Sequence, residues 1–438
     1  MKSDLKKLSP SWAMSAYHWI LAALATLIYW FPSEKLTVIG VTGTDGKTTT
    51  ANLTAQLLIK AGYKVGLTST TTFRIADKEW PNLTKQGMQG RFKNQQLLRR
   101  MVKAGCKYAV IETTSEGIKQ YRHVGINYDV AVFTNLTEEH IEAHGSFKKY
   151  RAAKGKLFEQ LARSCKIDTK KFAIINADDK HANYFLNFGC DRKIIFGIKH
   201  SRKDLPSVQA REIKLDQRGS HFWVDYDGQS SEISTPLVGE FNVYNALAAI
   251  SVALSQGMSL EKIKAAFQKI KPVPGRMEII DAGQPFTVIV DYAHAPNALE
   301  NVYKTLKPFV KGKLWSLLGS QGGGRDKRKR PILGKLAGQY ADCVVVTNED
   351  PYDEKPEQII DEVFAGVLEN KTEDEDAWRI LDRREAIAFI LKKAQPGDIV
   401  LLTGKGSEKV IIEAGGKKKN WDEGRVVREI LGKMSKSN

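Results

Sequence analysis

Cysteine is scarce in this chain of 438 residues: Cys106, Cys165, Cys190 and Cys343 are the only four. They lie far apart with no C-x-x-C pair, which argues against a zinc ribbon and a disulfide framework and fits a reducing compartment. The plain role left for them is that of small buried hydrophobes. No internal repeat of solenoid period and no low-complexity tract occurs. Acidic residues fall short of basic ones: 50 Asp and Glu stand against 67 Lys and Arg, a formal net charge of +17. Such an imbalance fits either a nucleic-acid binder or an enzyme whose substrates are polyanions. The basic residues are spread widely, with local clusters at 325–330 and 417–419. No aromatic-interleaved single-strand motif accompanies them, so phosphate-bearing small substrates are the better reading.

Long apolar runs are missing too, with one exception. Residues 12–31 read WAMSAYHWILAALATLIYWF, with Lys2, Lys6 and Lys7 before them and Pro32 after. The charge order is that of a signal peptide, but no small-residue cleavage site stands out and a phosphate-binding type of loop follows almost at once, so export is not expected. The length is borderline for a spanning helix, and Ser15, His18 and Thr26 weaken that reading. Aromatic residues at both ends suit a helix lying at a membrane surface. A helix packed on the protein itself is the other reading, and the sequence leaves both open.

What is present is an α/β pattern. With 42% apolar and 27% charged residues the composition is that of an ordinary folded protein, long enough for two or three domains. LTVIGV, KVGLTST, KYAVIETT, DVAVFTNL and FAIINA read as buried strands separated by helical stretches such as TTANLTAQLLIKAG and NQQLLRRMVKAG. Such alternation predicts a mostly parallel sheet covered on both faces. Around 209–233 the pattern changes to polar and apolar alternation with Gly219 and Gly228, as in antiparallel hairpins. KIKPVPGRME (269–278) is the best linker, and beyond it FTVIVDYA, KLWSLLGS, CVVVTNE and DIVLLTG open a second α/β set. The expected organisation is an apolar helical segment at 1–34, a central P-loop ATPase domain at 35–272 and a Rossmann-like α/β domain at 273–438.

The strongest local motif is GVTGTDGKTTT, between a strand and a helix, where loop amides and the helix N-terminus can face phosphate oxygens. Gly43 and Gly46 permit close backbone approach, with Thr44, Asp45 and Thr49 completing the cradle. Lys47 is placed to reach the β- and γ-phosphates of ATP and Thr48 to offer its hydroxyl to Mg²⁺. Its spacing is tighter than G-x-x-x-x-G-K-[ST]. The compact G-T-D-G-K-T-T form resembles the Mur ligases and the folylpolyglutamate synthetases, and further motifs recur in order over 36–430, most similar to the MurE type that adds the third amino acid to UDP-N-acetylmuramoyl-dipeptide.

That resemblance implies an ATP-dependent acid–amino-acid ligase working through an acyl phosphate in cell-wall precursor synthesis. It implies that Glu112 in IETTSEG and His140 in TNLTEEH are metal ligands together with Thr48, and that Lys154 in YRAAKGKLF is the lysine carbamylated by CO₂. It gives nucleotide contacts to Asn242 and Asn245, which are spaced to share one helix face, and to Arg276, Asp291 and His294. Asn176, Asp178 and Asp179 of NADD resemble another nucleotide-contacting segment. Arg325, Lys329, Asn348, Asp350, Tyr352 and Glu408 fall at substrate positions. By themselves several of these are unremarkable: Glu112 reads equally as a helix cap, Lys154 as a solvated helix lysine, the two asparagines as caps, and 325–330 as a solvated charge run.

Three departures matter. Diaminopimelate-adding members carry D-N-P-R, whose arginine pairs with the substrate's distal carboxylate; here the stretch is NEDPYDE, with Tyr352 in that place. An acidic pocket there suits a cationic side chain such as lysine. G-K-G-H-E appears as GKGSE, with Glu408 kept. Only about 35 residues precede the P-loop strand, too few for the usual UDP-sugar-binding domain, so either the nucleotide sugar is held differently or the acceptor is not UDP-linked. The expected setting is the cytoplasm, with contact at the inner face of the membrane through 12–31 left open, and partners limited to small molecules. A folylpolyglutamate-synthetase-like ligase, a non-catalytic nucleotide-binding relative and a nucleic-acid-stimulated ATPase are the competing readings.

Overall fold

The computed structural model describes residues 11–137, 144–166 and 169–437. The chain forms two compact units: one takes in the chain up to Lys214 with His221–Thr235 and Phe241–Ile270, the other Leu215–Ser220, Pro236–Glu240 and Lys271 onward.

The first unit is built on β1 (Thr37–Thr42), whose six residues TVIGVT are buried beyond the first. So continuous an apolar run needs cover on both faces and a neighbour on both edges. Its neighbours are β5 (Tyr108–Glu112) and β6 (Val130–Phe133), both parallel to it. Strands β2 (Val65–Thr68), β3 (Thr72–Ile75) and β4 (Lys78–Pro81) extend the sheet past β5. On the other side β6 leads to β7 (Phe172–Asn176), β8 (Arg192–Gly197), β9 (Ser207–Asp216), β10 (Gly219–Tyr226) and β11 (Gln229–Thr235). Pairing is parallel from β2 to β9, while β2–β3–β4 turn antiparallel at one edge. The register sets Val41 opposite Glu112 and Thr42 opposite Phe133, so the loops after β1, β5 and β6 leave the sheet at one edge. Ligands bind at such carboxyl ends in open α/β sheets. At the other end of β1, Asp129 accepts from Val38 N at 2.8 Å and holds Lys166, Lys171 and Thr169.

The apolar N-terminal segment forms α1 (Ser11–Ile28), which packs on the protein through Ala22, Ala25 and Thr26. After β1 comes α2 (Lys47–Lys60), and α3 (Arg91–Lys103) lies beneath α1, where Gln95 Nε2 donates to Thr26 Oγ1 at 3.2 Å. Packing on the protein was thus one of the two sequence readings, and no helix among the described residues is long and apolar enough to cross a membrane. The helices α4 (Phe147–Ala162) and α5 (Glu240–Ser255) complete the parts of this unit that carry site residues.

The second unit holds a six-stranded sheet in the order β12 (Glu278–Ile280), β13 (Thr287–Val290), β17 (Ile399–Leu402), β14 (Leu314–Leu318), β15 (Cys343–Val346) and β16 (Ala377–Arg379). Only the β12 edge is antiparallel. Trp315, Val345, Val400, Leu402 and Ile390 are among its core residues. This is the Rossmann-like pattern expected beyond the linker, and the division into units falls at Ile270–Lys271.

Candidate active site

The loop between β1 and α2 is shaped by two residues with positive φ, Gly43 (156°) and Gly46 (78°). A Cβ on Gly43 would collide with Thr134 Oγ1, and one on Gly46 with Asn245 Oδ1. Only glycine meets both demands, positive φ and close approach. Neighbouring strand ends brace the loop: Asn135 O accepts from Thr44 N at 2.9 Å, Asn135 Oδ1 from Asp45 N at 2.8 Å, and Asp45 O from Thr134 Oγ1 at 2.7 Å. Gly46 precedes α2 without a side chain to cap it. The first turn of a helix leaves backbone amides without intrahelical partners, and the macrodipole adds partial positive charge there. An uncapped helix end behind a glycine cradle fits the phosphates of a nucleotide.

Charged groups converge on this loop. Lys47 Nζ lies on Thr44 O, folded back over the loop. Thr48 Oγ1 donates to Glu112 Oε2 at 3.0 Å, and Glu112 accepts from Thr70 N at 2.7 Å and Thr70 Oγ1 at 2.8 Å. Glu112 is buried, so its charge rests on these donors. From α4, Lys154 reaches the carbonyl of Gly43, with 1% of its surface exposed and its ammonium 4.4 Å from the Tyr150 ring centroid. Tyr150 in turn bonds Thr44 through its hydroxyl at 3.1 Å. Lys47, Glu112 and Lys154 therefore sit around one loop. His140 lies outside the described residues. Among the described residues no group of three or more His, Cys, Asp or Glu side chains gathers as a metal cluster. His144, next to the site, has its pKa lowered to about 4 by burial and by Lys119 and Lys154, and contacts Ser115 Oγ at 3.2 Å.

Asn242 and Asn245 share a face of α5: Asn245 Nδ2 donates to Asn242 Oδ1 at 3.0 Å, and Asn245 Oδ1 accepts from Thr50. The NADD residues are engaged within the fold, Asn176 to Thr134 O, Asp179 to Leu136 N, and Asp178 to the amides of 198–200 and the Tyr244 hydroxyl.

In the second unit Arg276 stacks over Tyr292, 4.3 Å from the ring centroid. Asp291 accepts from Met277 N and Ala293 N, each at 2.7 Å, and Lys329 Nζ donates to His294 O at 2.9 Å. Arg325 lies over the Tyr352 ring and bonds its hydroxyl at 3.2 Å.

The chain matches two family models, the Mur ligase middle domain over residues 41–253 and the Mur ligase glutamate ligase domain over 275–406. It is 41% identical to the UDP-N-acetylmuramyl-tripeptide synthetase of Roseiflexus sp. (strain RS-1), over 94% of this chain and 82% of that one. This chain belongs to the Mur ligase family. A Geobacillus thermodenitrificans protein named UDP-N-acetylmuramoyl-L-alanyl-D-glutamate–2,6-diaminopimelate ligase is also 41% identical, over 89% of this chain and 77% of its own. A solved structure of a ligase of that same name superposes with a TM-score of 0.63 at 33% identity, covering 91% of this chain and 79% of the other. As a Mur ligase the protein is an ATP-dependent carbon–nitrogen ligase.

Within this Mur ligase several residues expected at substrate positions are tied down by the fold. Asp350, read as a substrate contact, is fully buried: its Oδ1 holds Lys405 Nζ at 2.9 Å and accepts from Ile412 N at 2.8 Å. Glu408 Oε2 takes the same Lys405 at 2.7 Å. The acidic pocket inferred for a cationic amino acid is thus offset by a lysine from within the chain. Asn348 gives its carbonyl to buried Arg383 at 3.3 Å. Sequence reasoning passed over Glu349, which is 1% exposed with both carboxylate oxygens unpartnered; burial and neighbouring Asp350 push its pKa up. It also passed over Tyr150, the ring that carries Lys154. The aromatic one helical turn before Lys154 in YRAAKG was the only signal for it.

Proposed function

We propose that this Mur ligase activates the carboxylate of a muramoyl-peptide-type acceptor with ATP and joins it to the amine of an amino acid, extending a peptidoglycan precursor. An acceptor carboxylate oxygen bonds to the γ-phosphorus while the bridging bond to ADP breaks, giving an acyl phosphate. The amine then attacks the acyl carbon, the carbon–oxygen bond to phosphate breaks, and the amine's surplus proton passes to solvent or base. The convergence of Lys47, Thr48–Glu112 and Lys154 on one glycine loop carries this reading. Two anions must meet in the first step, so fixed positive charge is what the protein has to supply. Lys47 holds phosphate oxygens, Thr48 and Glu112 would hold Mg²⁺, which would supply neutralising charge, and the amides at the start of α2 orient the chain of phosphates. Lys154 serves as its carbamate: the modification turns a buried ammonium into an anion able to position metal and acceptor. Asn245 and Asn242 contact the nucleotide, as do Arg276, Asp291 and His294.

The amino acid meets Arg325, Lys329, Tyr352 and Glu408. With Tyr352 where diaminopimelate-adding relatives carry arginine, and Asp350 tied to Lys405, neither diaminopimelate nor lysine is favoured by a dedicated partner on this loop. The reaction takes place in the cytoplasm, with residues 12–31 at the inner face of the membrane. ADP release measured over a matrix of UDP-linked and lipid-linked muramoyl-peptide acceptors and a panel of amino acids, with product masses, tests the assignment. Coupled product with one pairing is expected; ADP release that never depends on acceptor and amino acid together refutes it.

A further inference from the structure

α1 is held by one side only. Its inner side packs through small residues, while Tyr17, Ile20, Leu24, Leu27 and Ile28 point away from the protein and the turn that follows adds Trp30 and Phe31, with exposures from 44% to 76%. Their spacing lays them along one stripe of the helix. No Asp, Glu, Lys or Arg occurs from Leu8 to Ser33. So large a continuous apolar face is costly in water and marks a contact.

The end of the helix adds a second observation. Trp30 N bonds Leu27 O and Phe31 N bonds Thr26 O, the pattern of a helix closed by a left-handed residue. Glycine is at ease there, yet the positions are filled by Trp30 at φ 58° and Phe31 at φ 47°. A bulky residue in that region is strained, and a Trp30 ring that is 76% exposed gains no packing in return. Glycine would fill these two positions with less backbone strain.

Charge indicates what covers the face. Lys2, Lys6 and Lys7 stand before it against one acid, Asp4, while Glu34 and Lys35 follow it as a balanced pair. Beside it, Arg91 at the start of α3 is close enough to Tyr17 for the two to interact electrostatically, and the adjoining Lys93 is exposed. An uncharged stripe, aromatic at both ends and bordered by cations, complements the boundary between acyl chains and anionic headgroups. Residues 1–10 have too few apolar side chains to cover it. α1 is engaged with Gln95 on its inner side, and no helix among the described residues is long and apolar enough to cross a membrane.

We propose that this face docks on a bilayer containing anionic phospholipid, with Leu24, Leu27 and Ile28 entering the acyl boundary and Tyr17 and Trp30 at headgroup depth. The inference deepens the peripheral placement proposed above and is independent of the ligase chemistry. The test is flotation of the full chain with vesicles of phosphatidylcholine alone and with phosphatidylglycerol added. Wild type is expected to float with the mixed vesicles and far less with the neutral ones. Leu24→Glu/Ile28→Glu, two exposed positions remote from the phosphate loop, should lower partitioning about tenfold or more and leave nucleotide binding unchanged. Equal flotation with both vesicles keeps the membrane contact but overturns the anionic preference. Failure to float with either, or an undiminished double variant, overturns both. A dimer by light scattering that the double variant dissociates, without vesicle binding, assigns the face to a second copy instead.

Discussion

Lys154 shows how far one residue can be read. Its motif marks it by resemblance alone, since a helix lysine is by default a solvated charge. In the fold it is buried, over the Tyr150 ring and against the Gly43 carbonyl, where a charged group depends on the partners packed around it. Replacing it by alanine should cut ligation by roughly 10²–10³-fold, the scale of losing one well-placed electrostatic group, and short carboxylic acids in the assay should restore part of the rate by occupying the carbamate's place. Full activity in Lys154→Ala would remove it from the mechanism. Glu349 is the opposite case: a buried acid with no partner is invisible in sequence because orphaning is a property of packing. His123 is another such residue, 5% exposed with Nδ1 unpartnered and its pKa lowered to about 4 by burial, with Lys156 adding to the effect. An unfolded histidine titrates near 6.5, so between about pH 6.5 and 4 the unfolded chain binds a proton that the folded chain refuses. Stability is therefore present above that window and lost as pH falls through it. Urea unfolding at pH 7 and 4.5 should show a drop about 2 kcal/mol larger in wild type than in His123→Gln; equal drops would show that His123 is protonated in the fold.

At the scale of elements the strands were the easiest to see, because a parallel strand buried on both faces is a short uninterrupted apolar run. β1, β5, β6, β7, β13, β14, β15 and β17 each stand where such a run occurs. The β3–β4 edge was not visible, as KEWP carries no alternation and its pairing depends on β2. Equally hidden was the anchor of β1. Asp129 ties the Val38 amide to Lys166 and Lys171, whose side chains are 6% and 8% exposed. Burial lowers the Lys166 pKa while Asp129 works against that shift. Asp129→Ala leaves two buried ammonium groups without their acid, and breaking a buried pair from one side costs about 3–5 kcal/mol. The urea midpoint of the first unit should fall accordingly; a change below about 1 kcal/mol would mean the lysines find solvent instead. Gly46→Ala adds only a methyl group, yet its effect on function should be severe. Positive φ and the approach of Asn245 leave no room for a methyl group, so the loop must shift and nucleotide affinity should fall at least tenfold by calorimetry, with the secondary structure retained.

Over the whole molecule the decisive fact is that two cores were built, each around its own sheet. The linker prolines hinted at the division, but which residues belong to which unit follows only from contacts, since Leu215–Ser220 and Pro236–Glu240 join the second unit from within the first stretch of chain. Two cores predict two calorimetric transitions rather than one, because cooperativity extends only as far as shared packing. The phosphate loop lies in the first unit, and a ligand that binds only the folded state raises stability by RT ln(1 + [L]/Kd), about 2.7 kcal/mol at a hundredfold excess over Kd. A non-hydrolysable ATP analogue with Mg²⁺ should therefore raise the transition that Asp129→Ala lowers. Lys47→Ala should keep both transitions near their original temperatures while abolishing the ligand-induced rise, because Lys47 stands at the loop surface and its loss removes charge from phosphate rather than packing from the core. If the analogue still shifts the Lys47→Ala protein as it does the wild type, the phosphates are held elsewhere and the glycine loop is only a turn.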